Sequence, residues 1–318
     1  MPLIERSSYK SPFWLRNPHL ATIYPSLFRK VEGVSYERER IDTWDNDFMD
    51  LDWVKKGSKS LLLLAHGLEG GSHRHYMLGP AKYFSDRDWD VVSWNCRTCS
   101  GEMNKQLRMY HHAATDDLAA VVNHIVNKKE YSKIVLAGFS MGGSLIIKYL
   151  GEGQHVPKEI FKSVVFSVPC DLKDSALTLS RKGRGFYRKK FLGKLKEKIS
   201  EKAKMYPKKI SVEGIEQIVH FPQFDEKYTA PLHGFDSADD FYHKASAKNY
   251  LEGIEQPTLI VNALNDPFFT EASYPFKEVD KLDKVFLETP KRGGHVGFML
   301  NSKSSWMEQR IWNFIHTD

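Results

Sequence analysis

Short apolar runs, each closed by a turn or a polar residue, recur along the chain. Residues 60–66 read SLLLLAH, 90–94 DVVSW, 133–138 KIVLAG and 162–168 KSVVFSV. Two more follow near the end, 257–263 (PTLIVNA) and 284–288 (KVFLE). They have strand length and are apolar nearly throughout, which predicts strands covered on both faces. Helix-length segments lie between them. Thr115–Asn127 places Leu118, Val121, Val122 and Ile125 at helical spacing, with Asp116 and Asp117 near its start, where acids favour the helix dipole. Residues 140–150 and 304–315 also fit helices. Upstream, 34–41 and 47–53 predict a hairpin around Asp45-Asn46. The expectation is an α/β fold: a mostly parallel eight-stranded sheet with helices on both faces.

The alternation breaks between about 171 and 245. That stretch is helical and basic at first, then irregular and acidic, and reads as a helical cap inserted between two sheet strands. With an N-terminal arm over about 1–32, the whole of 1–318 is expected to be one domain carrying a cap.

The chemistry concentrates at Gly138-Phe139-Ser140-Met141-Gly142. The pentapeptide follows a predicted strand and opens a predicted helix. A serine on such a tight turn is strained and exposed, and the flanking glycines permit close backbone approach. A Gly-rich turn with an incidental serine is the plain alternative, and the strand–turn–helix context favours the nucleophile. A serine nucleophile needs a base, and the base an orienting carboxylate. Asp266 follows the 257–263 strand in Asn265-Asp266-Pro267, and His295 follows the 284–288 strand in Gly293-Gly294-His295. The order Ser140, Asp266, His295 places all three on loops after strands, at the end where such sheets bind ligands. Asp171, just past the 162–168 strand, is a rival acid and ranks second. His66-Gly67-Leu68-Glu69-Gly70 ends the first long strand. Backbone amides of Leu68 and Met141 are the expected oxyanion donors, with His66 structural.

These residues resemble the α/β-hydrolase superfamily, and further motifs resemble its YheT-like family. They are Pro12-Phe13-Trp14-Leu15-Arg16-Asn17-Pro18-His19-Leu20-Ala21-Thr22, Asp47-Phe48-Met49-Asp50-Leu51-Asp52-Trp53, Cys99-Ser100-Gly101-Glu102, Tyr110-His111, Thr115-Asp116-Asp117-Leu118, Thr229-Ala230-Pro231-Leu232-His233-Gly234-Phe235 and Gly293-Gly294-His295-Val296-Gly297-Phe298. The likeness runs from about residue 10 to the C-terminus. Ala21, Asn46 and Cys96 depart from the family pattern without touching the triad. The resemblance implies an α/β-hydrolase fold and a serine esterase or acyltransferase acting on fatty-acyl esters, with the triad Ser140, Asp266 and His295. Relatives from eukaryotes often carry a membrane anchor before the arm, and none is expected here.

Charge adds one feature. The formal net charge is +6, yet residues 181–209 hold thirteen Lys/Arg against Glu197 and Glu201, so the remainder is net negative. A single basic block without a recognition fold argues against nucleic acid. Tyr187, Phe191, Leu195 and Ile199 stripe it at a spacing of four, which predicts a cap helix packed on the core with its lysines in water. The sharper reading is peripheral contact with an anionic membrane surface through 181–209. Phe186, Phe191 and Leu192 are expected to line an acyl tunnel. Three cysteines cannot all pair, which suggests a reducing compartment, by default the cytoplasm. Cys96-Arg97-Thr98-Cys99 and His73-Arg74-His75 read as loops, so neither a metal nor a cofactor is expected. The expected activity is a carboxylic-ester hydrolase acting on short-to-medium acyl esters. Acyl transfer to an alcohol and lipase or phospholipase action are the enzymatic alternatives, and a non-catalytic binding protein on the same fold is the third.

Overall fold

A computed structural model describes residues 2–181 and 185–317. Residues 182–184 of the basic block lie outside it. Among the described residues nine strands form one sheet: β1 (Leu3–Ile4), β2 (Glu37–Asp42), β3 (Phe48–Val54), β4 (Ser60–Ala65), β5 (Asp90–Asn95), β6 (Lys133–Phe139), β7 (Ile160–Phe166), β8 (Thr258–Val261) and β9 (Val285–Glu288). Their order is β1-β9-β8-β7-β6-β4-β5-β3-β2. The ninth strand, beyond the eight expected, is β1. It pairs through Leu3↔Leu287 and Ile4↔Glu288, and two residues are too few to leave a periodic signal.

Leu61–Leu64 of β4 are fully buried because alternate side chains enter different cores. Leu61 and Leu63 pack with helices α3 (Thr115–Asn127) and α4 (Met141–Gly151). Leu62 and Leu64 pack with α2 (His75–Ser85) and the C-terminal helix Trp306–Ile315. The β2–β3 hairpin turns at Asn46, whose φ is 58°, and is clasped by bidentate Arg38–Asp52 and Arg40–Asp50 pairs.

Between β7 and β8 the chain leaves the sheet for the cap. Its main helices are α5 (Leu172–Ser180) and α6 (Gly185–Met205), followed by short turns and the helix Ala238–Ala245. The cap has its own apolar cluster, which reaches Phe268 and Phe269 beyond β8. Tyr187, Leu195 and Ile199 are buried as the stripe predicts, but the lysines do not all face water. Lys202 Nζ donates to Asn104 O, Asn104 Oδ1 and Gln106 O at 2.6, 2.8 and 2.7 Å. Burial lowers its pKa to about 8. The same loop amides and Arg97 meet on Asp47. One buried polar network therefore ties α6 to the sheet, and Arg97 of the Cys96–Cys99 loop is part of it.

The N-terminal arm reaches the cap, where His19 Nδ1 lies 3.0 Å from Tyr187 Oη of α6. Asn17 caps helix α1 (Pro18–Phe28), and Arg29 forms a buried ion pair with Glu308 at 2.6 Å.

Candidate active site

Ser140 sits between β6 and α4 at φ 53°, ψ −117°, a region costly for a residue with a side chain. The turn closes because its neighbours lack side chains. A Cβ at Gly142 would overlap the Ala65 carbonyl, and one at Gly138 would meet the Gly142 backbone at 2.6–2.7 Å. Strain and glycines together present the Ser140 hydroxyl to a cavity above the sheet.

The later strands deliver the partners. Ser140 Oγ lies 2.9 Å from His295 Nε2, and His295 Nδ1 lies 2.8 Å from Asp266 Oδ2. Asp266 has no exposed side-chain surface, and its other oxygen accepts from the Phe268 amide at 2.9 Å. With Nδ1–H donating to the carboxylate, the hydrogen-bond pattern assigns a free Nε2 lone pair toward the serine hydroxyl. The imidazole is wedged by two aromatic rings. Phe268 stacks on it at 4.0 Å between centroids, and Phe269 stands edge-on at 5.6 Å. The arm holds the loop, where Thr22 Oγ1 accepts from the His295 amide at 2.9 Å. Ser167, at φ 51° after β7, accepts from the Val296 amide.

Asp171 does not join this group. It caps α5 through the Asp174 amide and pairs with Lys248 at 2.6 Å. His66 is wholly buried, with Nδ1 on Gly67 O and Nε2 accepting from the Cys96 amide, so it shapes the turn after β4. That turn abuts the serine: a Cβ on Gly67 would lie 3.2 Å from Ser140 Cβ. Among the described residues neither the Leu68 nor the Met141 amide donates to a protein group. Met141 opens α4, so its amide also lies at the positive end of a helix dipole.

Above Ser140 lies a cavity of about 200 Å³ between cap and sheet. Its walls are mainly apolar, with Leu172, Ala176, Leu179, Phe224 and Phe241 among them. Phe186 and Phe191 line it as expected. Leu192 does not: it is buried in the cap's own cluster, since adjacent helix positions point about 100° apart. A polar set also faces the cavity. Glu69 accepts from Tyr110 Oη and pairs with Lys198 of α6 at 2.9 Å. Burial holds His112 and His233 down to about 4.

Asp225, on the cavity wall, is buried and raised from 3.8 to about 6 by desolvation, against the Thr229 and Tyr242 hydroxyls that donate to it at 2.6 Å. A carboxyl with a raised folded pKa contributes stability that is full below pH 4 and lost as pH climbs through 6. About two units correspond to roughly 3 kcal/mol. Wild type should therefore lose stability relative to Asp225→Asn between pH 4 and 7 in urea titrations. Parallel pH curves would show that the carboxyl titrates normally.

Thr22 and Tyr110 belong to motifs read above, but nothing in the sequence assigns them these contacts. Phe268 and Phe269 carried no signal beyond lying two and three residues after Asp266.

The chain matches the alpha/beta hydrolase fold family over residues 60–302. It is 30% identical to the Escherichia coli (strain K12) protein YheT, named as an inferred esterase, across 95% of this chain and 91% of that one. The mouse phospholipase ABHD3 is 27% identical across 94% of this chain and 74% of that protein. A yeast monoacylglycerol lipase is 26% identical across 81% of this chain and 59% of its own length. In fold, the Pyrococcus furiosus esterase Pf2001 superposes with a TM-score of 0.60 at 18% identity, over 90% of this chain and 97% of that one.

Proposed function

We propose, from the premise that this chain belongs to the alpha/beta hydrolase fold family, that it is a serine carboxylic-ester hydrolase working through an acyl-enzyme. The observation that carries the proposal is the hydrogen-bonded relay from Asp266 through His295 to a strained Ser140. Ser140 Oγ attacks the acyl carbonyl while His295 Nε2 takes its proton. The Leu68 and Met141 amides receive the negative oxygen. His295 then protonates the departing alcohol, with Asp266 stabilising the imidazolium. Water, activated by the same histidine, attacks the acyl-enzyme and frees the acid. The esterase and lipase names of relatives support the reading, and the apolar cavity suits an acyl chain of short-to-medium length. Acyl transfer to an alcohol shares every step to the acyl-enzyme, and product ratios with water and a competing alcohol separate the two.

Labelling by a fluorophosphonate probe, followed by turnover of an ester series of rising acyl length, tests the proposal. Absence of both labelling and turnover would refute it. Phe191 lines the cavity and meets Phe268 edge-on at 6.2 Å, one ring from His295. Phe191→Ala should move the preferred acyl length upward, with kcat/KM ratios between adjacent even chain lengths changing about tenfold, since one methylene in an apolar pocket is worth roughly 1–3 kcal/mol. An unchanged profile would place the acyl chain elsewhere.

A further inference from the structure

The cavity above Ser140 is lined mainly by apolar side chains, with a basic group among them. Residues that both line it and reach solvent mark the opening: Ser26, Leu27, Phe186 and Lys190. Lys190 and Lys194 lie one turn apart on α6, so their side chains share a face, and both line the cavity. Arg74, from the residue preceding α2, lines it too. Among the described residues, none of the three is ion-paired with a carboxylate. Arg74 donates to the Glu69 carbonyl, leaving guanidinium hydrogens over.

The acids on the cavity wall are committed elsewhere. Glu69 is taken by Lys198 and Tyr110. Asp225 is held by Thr229 and Tyr242. Arg74 and Lys194 bear on Lys190 closely enough to lower its pKa, together with desolvation, the larger cause. Three like charges gathered without a counter-ion repel one another, and that arrangement is relieved when an anion enters. Elsewhere on α6, Lys198 and Lys202 point inward and find acceptors.

We infer that Arg74, Lys190 and Lys194 form a subsite for an anionic group, a phosphate or a carboxylate, on the alcohol side of the acyl ester. The acyl chain occupies the apolar depth while the charged end stays at the wet mouth. The inference names a substrate class for the proposed hydrolase and rests on that reading for its location.

Uncleavable ligands keep the two claims separable. A decyl glyceryl ether phosphate, the same ether bearing a carboxymethyl group, the uncharged ether, and inorganic phosphate alone are titrated calorimetrically into the full-length protein, at low salt and below micelle formation. The phosphate ether is expected to bind about tenfold tighter than the uncharged ether. Lys190→Ala/Lys194→Ala should reduce that ratio to about twofold, and half-molar salt should do the same. An equal gain for the carboxymethyl ether would support recognition of charge, and a gain confined to the phosphate would support a phosphate headgroup. Equal binding of charged and uncharged ethers would overturn the subsite. So would inorganic phosphate binding as tightly as the phosphate ether, which would mark a free-anion site. Because ethers are not cleaved, these outcomes stand whether or not Ser140 is labelled by the fluorophosphonate probe.

Discussion

Ser140→Ala is expected to lower ester turnover on the order of a millionfold, the scale seen when a triad nucleophile is lost, and to abolish fluorophosphonate labelling. The loss has a local origin. The Ser140 hydroxyl is the group aligned with His295 Nε2, at 2.9 Å, and alanine leaves that base nothing to deprotonate. The turn should survive, because its geometry comes from Gly142 packing on the Ala65 carbonyl and Gly138 packing on the Gly142 backbone, and not from the hydroxyl. A melting temperature within a few degrees of wild type, roughly 1 kcal/mol or less, would separate lost chemistry from lost fold. Turnover within about a hundredfold of wild type would remove Ser140 from the mechanism.

Asp266→Asn should cost about four orders of magnitude in kcat, as an orienting carboxylate does in serine triads. The amide that replaces the carboxylate presents N–H to His295 Nδ1. The imidazole then carries its proton on Nε2, the nitrogen that must accept from Ser140. The companion change Asp171→Asn should alter kcat only a few-fold, because Asp171 serves the α5 cap and Lys248. Measuring both variants on one ester decides the acid, and a larger loss at Asp171 would reassign it.

That rivalry shows where sequence reading stops. Both aspartates end apolar runs, and both precede a helix or turn. What separates them is that β8 and β9 are adjacent and in parallel register, Val261 opposite Glu288, so the loops following them meet. β7, which precedes Asp171, lies one strand further from β9. Leu192 fails for a related reason: hydrophobicity marks it as buried without stating which neighbour buries it.

The features legible from the chain alone are those set within a few residues. Apolar runs of strand length, the Thr115–Asn127 helix with its acidic start, and the glycine-flanked turn at Ser140 depend on local sterics and periodic burial, which the sequence carries directly. Tertiary structure decided the rest: the two-residue β1, the acid that reaches His295, the arm's Thr22 against the histidine loop, and the inward turn of Lys198 and Lys202. Each is a contact between segments far apart in sequence. Such contacts depend on strand order, register and the fit of one surface on another, and these arise from packing the whole chain, so no local pattern of residues encodes them.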